Sequence, residues 1–276
     1  MKWLATVGLL VYGLWMLAAC AQYRQGQRYF DLASKAGFSE IRFSNEEFAI
    51  YGALKHEDRV AEILVVYLEG DGAAWRRKGE PAPDPTPQQP LALLLALEDP
   101  AAGVLYLARP GQFQRAEDPH CRPAYWSLAR YSETVVKAYS LIIERVKRRK
   151  QVQKIGLIGY SGGGVLAALL AARRDDVVWL ATVASNLDHR LWCAEHQVTF
   201  LRDSLEPKNF GDRLENIPQI HFIGGRDQIV SQKVIQSFIS AMADKKSVEL
   251  VVMKGFDHHC CWQKAWPGLL EMIPGR

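Results

Sequence analysis

The sequence predicts an α/β fold: a mostly parallel central sheet, opened by an antiparallel hairpin near the N-terminus, with helices on both faces. Three observations predict it. After residue 60, short strand-like runs alternate with longer helical runs. The strand-like runs are almost continuously apolar, as expected of strands buried on both faces. Several of them end on glycine, proline or aspartate, the residues that turn a chain sharply. A chain of 276 residues with 49% hydrophobic and 23% charged residues is long and apolar enough to bury a sizeable core.

The hairpin is read in Glu40–Phe43 and Phe48–Lys55, joined by Asn45-Glu46-Glu47. The buried strands are Glu62–Leu68, Gly103–Ala108, Ile155–Gly159, Val177–Val183, Ile220–Ile223 and Val248–Met253. Tyr131–Arg149 carries Val135, Val136, Tyr139, Ile142, Ile143 and Val146 at helical spacing. Its basic end, Lys147-Arg148-Arg149-Lys150, reads as cations placed at a helix C-terminus rather than as an anion patch. Gly163–Arg173, Ser231–Ala243 and Trp262–Met272 read as further helices. Arg76–Pro90 holds five prolines and reads as an ordered surface excursion, because the apolar stretch Leu91–Leu97 follows at once. No domain boundary stands out, so residues 29–276 are expected to form a single domain.

The first residues differ in kind. Lys2 precedes an apolar stretch, Trp3–Ala19, that ends in Leu17-Ala18-Ala19-Cys20. A basic start, a short apolar core and small residues before a cut site describe a secretory signal peptide. The end of the stretch resembles a bacterial lipobox, which implies lipidation of Cys20 and makes residues 1–20 the lipoprotein signal through that cysteine. The alternative is a plain membrane anchor, although the stretch is short against the roughly 20 residues of a spanning helix. Residues 21–28 are expected to be a tether. Ala21, where an aspartate would favour inner-membrane retention, resembles the pattern of lipoproteins sent to the outer membrane. The expected location is therefore the cell envelope, on the periplasmic face of the outer membrane. In that oxidising setting Cys121, Cys193, Cys260 and Cys261 are candidates for disulfides, including a bridge from Cys193 to Cys260 or Cys261.

The chemistry is carried by Gly159-Tyr160-Ser161-Gly162-Gly163, a G-x-S-x-G nucleophile elbow between an apolar strand and an Ala/Leu-rich helix. Such a turn lifts the serine hydroxyl above the sheet and sets it at a helix N-terminus, where developing negative charge is favoured. Asp227 follows the Ile220–Ile223 strand on a Gly-Gly-Arg-Asp turn, and His258 follows the last strand. Ser161, Asp227 and His258 thus stand in the chain order of a serine hydrolase on a parallel sheet. His259 competes with His258 as base, and Asp188 competes with Asp227 as acid.

On these residues the chain resembles the α/β-hydrolase superfamily from about residue 40 onward. It resembles in particular a group of proteobacterial lipoproteins that share Tyr67-Leu68-Glu69-Gly70-Asp71-Gly72, the Ser161 motif, Asn186-Leu187-Asp188-His189 and His258 with Cys260-Cys261-Trp262. The resemblance implies an oxyanion hole from the backbone N–H groups of Gly162 and Asp71, with Gly72 as an alternative to Asp71. It also implies that Glu69 stands where many relatives carry histidine.

The expected function is cleavage of a carboxylic ester or thioester through an acyl-enzyme, with no metal or organic cofactor. The substrate would be a small or lipid-like acyl compound, and the membrane would be met through the Cys20 anchor. Trp75, Tyr160 and Trp126 are candidate pocket residues. A net charge of +4 with interleaved signs gives no nucleic-acid signature. The alternative is a non-catalytic envelope lipoprotein that keeps the scaffold for binding.

Overall fold

The computed structural model describes residues 26–55, 61–113 and 121–276. The signal segment, Cys20 and the start of the tether lie outside the described residues. Residues 26–28, read from sequence as tether, belong instead to a helix over residues 26–35 (α1). Its Phe30 and Ala33 are buried in the core, so apolar anchoring extends the fold to residue 26.

The hairpin forms as expected: β1 (Phe38–Ser44) pairs antiparallel with β2 (Ala49–Lys55). Asn45 closes its turn by accepting from the backbone N–H groups of Glu47 and Phe48 at 2.8 Å each. Then come β3 (Ile63–Leu68), a small ribbon of β4 (Trp75–Arg77) and β5 (Glu80–Pro81), α2 (Leu91–Leu97) and β6 (Val104–Leu107). Next are α3 (Glu133–Lys150), β7 (Lys154–Tyr160), α4 (Gly162–Ala171), β8 (Val177–Val183) and α5 (His189–Glu195). The chain closes with α6 (Gly211–Leu214), β9 (Gln219–Gly224), α7 (Gln232–Ser240), β10 (Val248–Met253) and α8 (Trp262–Leu270). The sheet order is β1-β2-β6-β3-β7-β8-β9-β10, and only β2 runs against its neighbours.

Why the strands read as unbroken apolar runs is visible in β3. Leu64, Val66 and Leu68 enter the core shared with α3, α4 and α7, whereas Val65 and Tyr67 enter the core shared with α1, α2 and α8. A period of two with both faces covered leaves no position for a polar residue.

α3 begins where Ser132 accepts from the Val135 N–H and ends at Gln151, which has φ +56°. Its terminal basic cluster serves structure: Lys147 pairs with Asp176, and Arg148 pairs with Glu144 at 2.9 Å. One cysteine expectation is corrected. Cys260 and Cys261 are bonded to each other, whereas Cys193 is a buried thiol that donates to the Thr199 carbonyl at 3.6 Å. α5 turns Cys193 into the core and leaves it no disulfide partner among the described residues.

Candidate active site

Ser161 sits between β7 and α4 with φ +50° and ψ −123°, a sparsely populated conformation for a residue with a side chain. Such backbone costs on the order of 1–3 kcal/mol and persists because the surroundings dictate it. The Ser161 N–H is held by the Val183 carbonyl at 2.9 Å. The helix can follow so tightly because Gly163 has no side chain: a Cβ there would lie 2.1 Å from the Leu68 carbonyl oxygen. Gly159 has the same role from the strand side, where a Cβ would meet the Gly163 carbonyl oxygen at 2.4 Å.

Ser161, Asp227 and His258 come together. His258 Nε2 lies 3.1 Å from Ser161 Oγ, and His258 Nδ1 lies 2.9 Å from Asp227 Oδ2. An ionised carboxylate only accepts, so Nδ1 carries the proton and Nε2 of the neutral ring is left to accept from the serine hydroxyl. Asp227 is fixed from its other oxygen, which accepts from the Ile229 and Val230 N–H groups at 2.8 Å each. Its side chain is wholly buried.

Both competitors have other partners. His259 Nδ1 lies 3.0 Å from the Tyr160 hydroxyl. Burial, then the neighbouring His258, push the His259 pKa down. Asp188 caps α5 by accepting from the Leu191 N–H at 2.8 Å, and its second oxygen takes Ser237 at 2.7 Å and Lys208 at 3.1 Å. Asp257 supports the histidine loop by accepting from the His259 and Cys260 N–H groups at 2.8 and 2.7 Å.

The turn after β3 packs against the serine. A Cβ on Gly70 would lie 3.3 Å from the Ser161 Cβ, and one on Gly162 would lie 2.2 Å from Asp71 Oδ1. The Asp71 side chain therefore packs against Gly162, the residue after Ser161. Glu69 is more than a turn residue. Its buried carboxyl accepts from the N–H groups of Gly70 (2.9 Å), Ala92 (3.3 Å) and Leu93 (3.4 Å) and from the Tyr106 hydroxyl (3.1 Å). Burial pushes its pKa up to about 7 against these bonds.

The Asp71 carboxylate is caged by residues that sequence reasoning missed. Arg109 reaches it at 3.1 Å, Arg130 at 2.5 Å and the Tyr131 hydroxyl at 2.9 Å. Burial acts to raise its pKa, but the two guanidinium groups prevail and hold it below the ordinary carboxylate value. Gln112 completes the cage, donating from Nε2 to the Gly70 carbonyl at 3.0 Å. The only sequence signal was Arg109 itself, a charge set directly after an apolar strand on the edge of the sheet where such folds gather their sites.

Ser161 and His258 open into a cleft of about 740 Å³. Trp75 and Tyr160 line it, together with Tyr29, Trp192, Ile229 and Val230. Trp126 does not: it is buried, donates to the Ala82 carbonyl at 3.0 Å, and packs against Gly111. Its place in the Pro123–Trp126 turn directs the indole beneath the proline-rich excursion, away from the serine. That excursion contributes Pro87, Gln88 and Gln89 to one wall of the cleft. Among the described residues, no group of three His, Cys, Asp or Glu side chains is arranged to hold a metal ion.

The family model described as Serine hydrolase (FSH1) matches residues 114–260, just over half of the chain. The chain belongs to the FSH1 serine hydrolase family. No curated protein sequence matches this hydrolase. Among solved structures, it is similar to the Pyrococcus furiosus esterase Pf2001, with a TM-score of 0.59 and 15% identity over 85% of this chain and 89% of that one. Est1E from Butyrivibrio proteoclasticus aligns with a TM-score of 0.59 and 12% identity over 86% of this chain and 99% of that one. An alpha-beta serine hydrolase homologue from Coxiella burnetii aligns with a TM-score of 0.54 and 14% identity over 85% and 95%. At these identities the likeness is one of fold, and the fold is that of the α/β-hydrolases.

Proposed function

We propose that this serine hydrolase cleaves carboxylic esters or thioesters through an acyl-enzyme, with Ser161 as nucleophile, His258 as general base and acid, and Asp227 as the group that orients the imidazole. The observation that carries this reading is the hydrogen-bonded line from Asp227 through His258 to a strained, cleft-facing Ser161.

His258 Nε2 takes the Ser161 proton as the oxygen attacks the carbonyl carbon. Asp227 stabilises the imidazolium that results. The N–H groups of Gly162 and Asp71 receive the tetrahedral oxyanion, and the proton on Nε2 passes to the departing alcohol or thiol. Water then enters, His258 takes its proton, and the acyl group leaves as a carboxylic acid. The apolar wall of Trp75, Trp192, Ile229 and Val230 suits an acyl chain. In this reading the Leu17–Cys20 lipobox puts the enzyme at the cell envelope, anchored through lipid on Cys20.

The test is labelling of the full chain by a fluorophosphonate, comparing wild type with Ser161→Ala and His258→Ala. Labelling of wild type that is lost in both variants is expected. Folded wild type that resists the probe would overturn the reading and leave a binding scaffold.

A further inference from the structure

The N-terminal chain enters the fold at the rim of the Ser161 cleft. β1 runs parallel to the main strands, because β2 is antiparallel to both β1 and β6. β1 therefore starts at the edge opposite the site. α1, joined to it through only Ala36 and Gly37, runs back from the site edge. Contacts agree: Gly26 abuts Phe113, and the Phe30 and Phe113 rings meet edge to face at 5.3 Å, in the loop beyond the end of β6. Tyr29 lines the cleft itself and donates to the Gln88 carbonyl at 3.0 Å. Cys20 precedes Gly26 by six residues. Even fully extended, six residues span only about 20 Å. A chain held in a bilayer at Cys20 therefore keeps Gly26, three residues before the cleft-lining Tyr29, within about 20 Å of that bilayer.

The surface beside this mouth has the chemistry of an interfacial contact. Ile229, on the cleft wall, is exposed. So are Val198 and Phe200, the latter 54% exposed. Their loop is tied to the β4–β5 ribbon, where Lys78 Nζ donates to the Gln197 carbonyl at 3.2 Å, and Trp75 of the same ribbon lines the cleft. The ribbon also presents Arg76 and Arg77, whose shared partner Glu80 offsets only one of three positive charges. Arg28 is exposed on α1, one residue from Tyr29. Apolar side chains with cations on the adjoining ribbon fit a surface of acyl chains under anionic headgroups.

We propose that the rim formed by Val198, Phe200, Ile229 and the Arg76–Lys78 ribbon rests on the anionic bilayer in which the chain is anchored, so that the cleft takes acyl lipid esters directly from that bilayer. The inference rests on Ser161 acting as a nucleophile and on the apolar segment before Ala21, or acyl chains on Cys20, serving as the anchor. Anchoring alone leaves the domain free to rotate, and the rim contact selects the orientation that admits lipid.

The test uses the full chain reconstituted in vesicles of phosphatidylethanolamine and phosphatidylglycerol. Wild type, Val198→Asp with Phe200→Asp, and Arg76→Glu with Arg77→Glu are compared on a bilayer-embedded fluorogenic acyl ester and on a water-soluble butyrate ester. None of these residues touches the serine, so turnover of the soluble ester is expected to stay within about twofold, whereas the embedded ester loses about fivefold or more. Quenching of tryptophan emission by brominated lipid is read in parallel and is expected to fall in both variants. An unchanged ratio of embedded to soluble turnover with unchanged quenching would overturn the proposal. If no ester is hydrolysed, the reading of Ser161 fails, and the quenching comparison alone decides whether the rim meets the bilayer. Self-association that the aspartate variants abolish would assign the surface to a second copy and overturn it as well.

Discussion

Replacing Arg130 by methionine tests whether the charged cage around Asp71 sets the geometry of catalysis. The side chain is nearly buried, at 4% exposure, and its guanidinium holds the Asp71 carboxylate at 2.5 Å and the Ser127 carbonyl at 2.6 Å. Removing one partner of a buried ion pair costs about 3–5 kcal/mol. Asp71 keeps Arg109 and Tyr131, so the lower end applies, about 3 kcal/mol. For a domain of this size that is a fall in Tm of roughly 6–12 °C, and a domain of ordinary stability still folds at 25 °C. The catalytic effect follows from the backbone. Asp71 N–H is the proposed oxyanion donor, and outright loss of such a donor costs about 10²- to 10³-fold in kcat. A loosened turn should cost about tenfold to a hundredfold in kcat, with KM little changed, because the oxyanion exists only after attack. Steady-state kinetics on a butyrate ester and thermal unfolding followed by circular dichroism measure the two effects. Arg130→Lys should recover part of each. A variant with lowered Tm and wild-type kcat would refute the reasoning, reducing the cage to scaffolding.

Three further outcomes follow from the same geometry. Asp227→Asn should lower kcat by about 10⁴-fold while leaving Tm within a few degrees, because an amide facing Nδ1 favours the wrong imidazole tautomer; retained activity would point to another acid. Gly163→Ala should abolish soluble expression or lower stability by more than about 3 kcal/mol, since a methyl 2.1 Å from the Leu68 carbonyl oxygen cannot be accommodated without moving α4. Glu69 reverses the usual carboxylate linkage. Its folded pKa, about 7, lies above its ordinary 4.5, so the folded state favours the proton and the associated stability is lost as pH rises through that window. Two and a half pKa units correspond to about 3 kcal/mol, and Glu69→Gln should remove that slope in urea titrations between pH 4.5 and 7.5. Parallel stability profiles of wild type and variant would show that the carboxyl does not titrate there.

The sheet was legible because its strands are buried on both faces, which writes them as apolar runs, and because the hairpin carries Asn45 at its turn. Ser161, Asp227 and His258 could be singled out for a related reason: each follows a strand of the sheet, one, three and five residues past its last residue. What could not be read was lateral. Arg109 and Arg130 meet Asp71 from positions 38 and 59 residues away; Arg109 stands just after an apolar strand, but nothing in either local sequence names Asp71 as the partner. Trp126 was misplaced because adjacency in sequence to motif loops does not set the direction of an indole. The Cys193 expectation failed for the same reason, since which face of α5 looks inward depends on packing. Residues 26–28 read as tether because they are polar and glycine-containing, whereas Phe30 and Ala33 hold α1 on the core.

The site spans three strand ends, at Ser161, Asp227 and His258, with the Glu69–Asp71 turn supplied by a fourth. The proposed base, His258, comes last in the chain order of the three, after β10. A nascent or truncated chain that lacks β10 holds a serine with no partner to take its proton. Appearance of hydrolytic activity would therefore report completion of the whole sheet rather than of any part. Timing it against chain length would make this protein its own clock for folding.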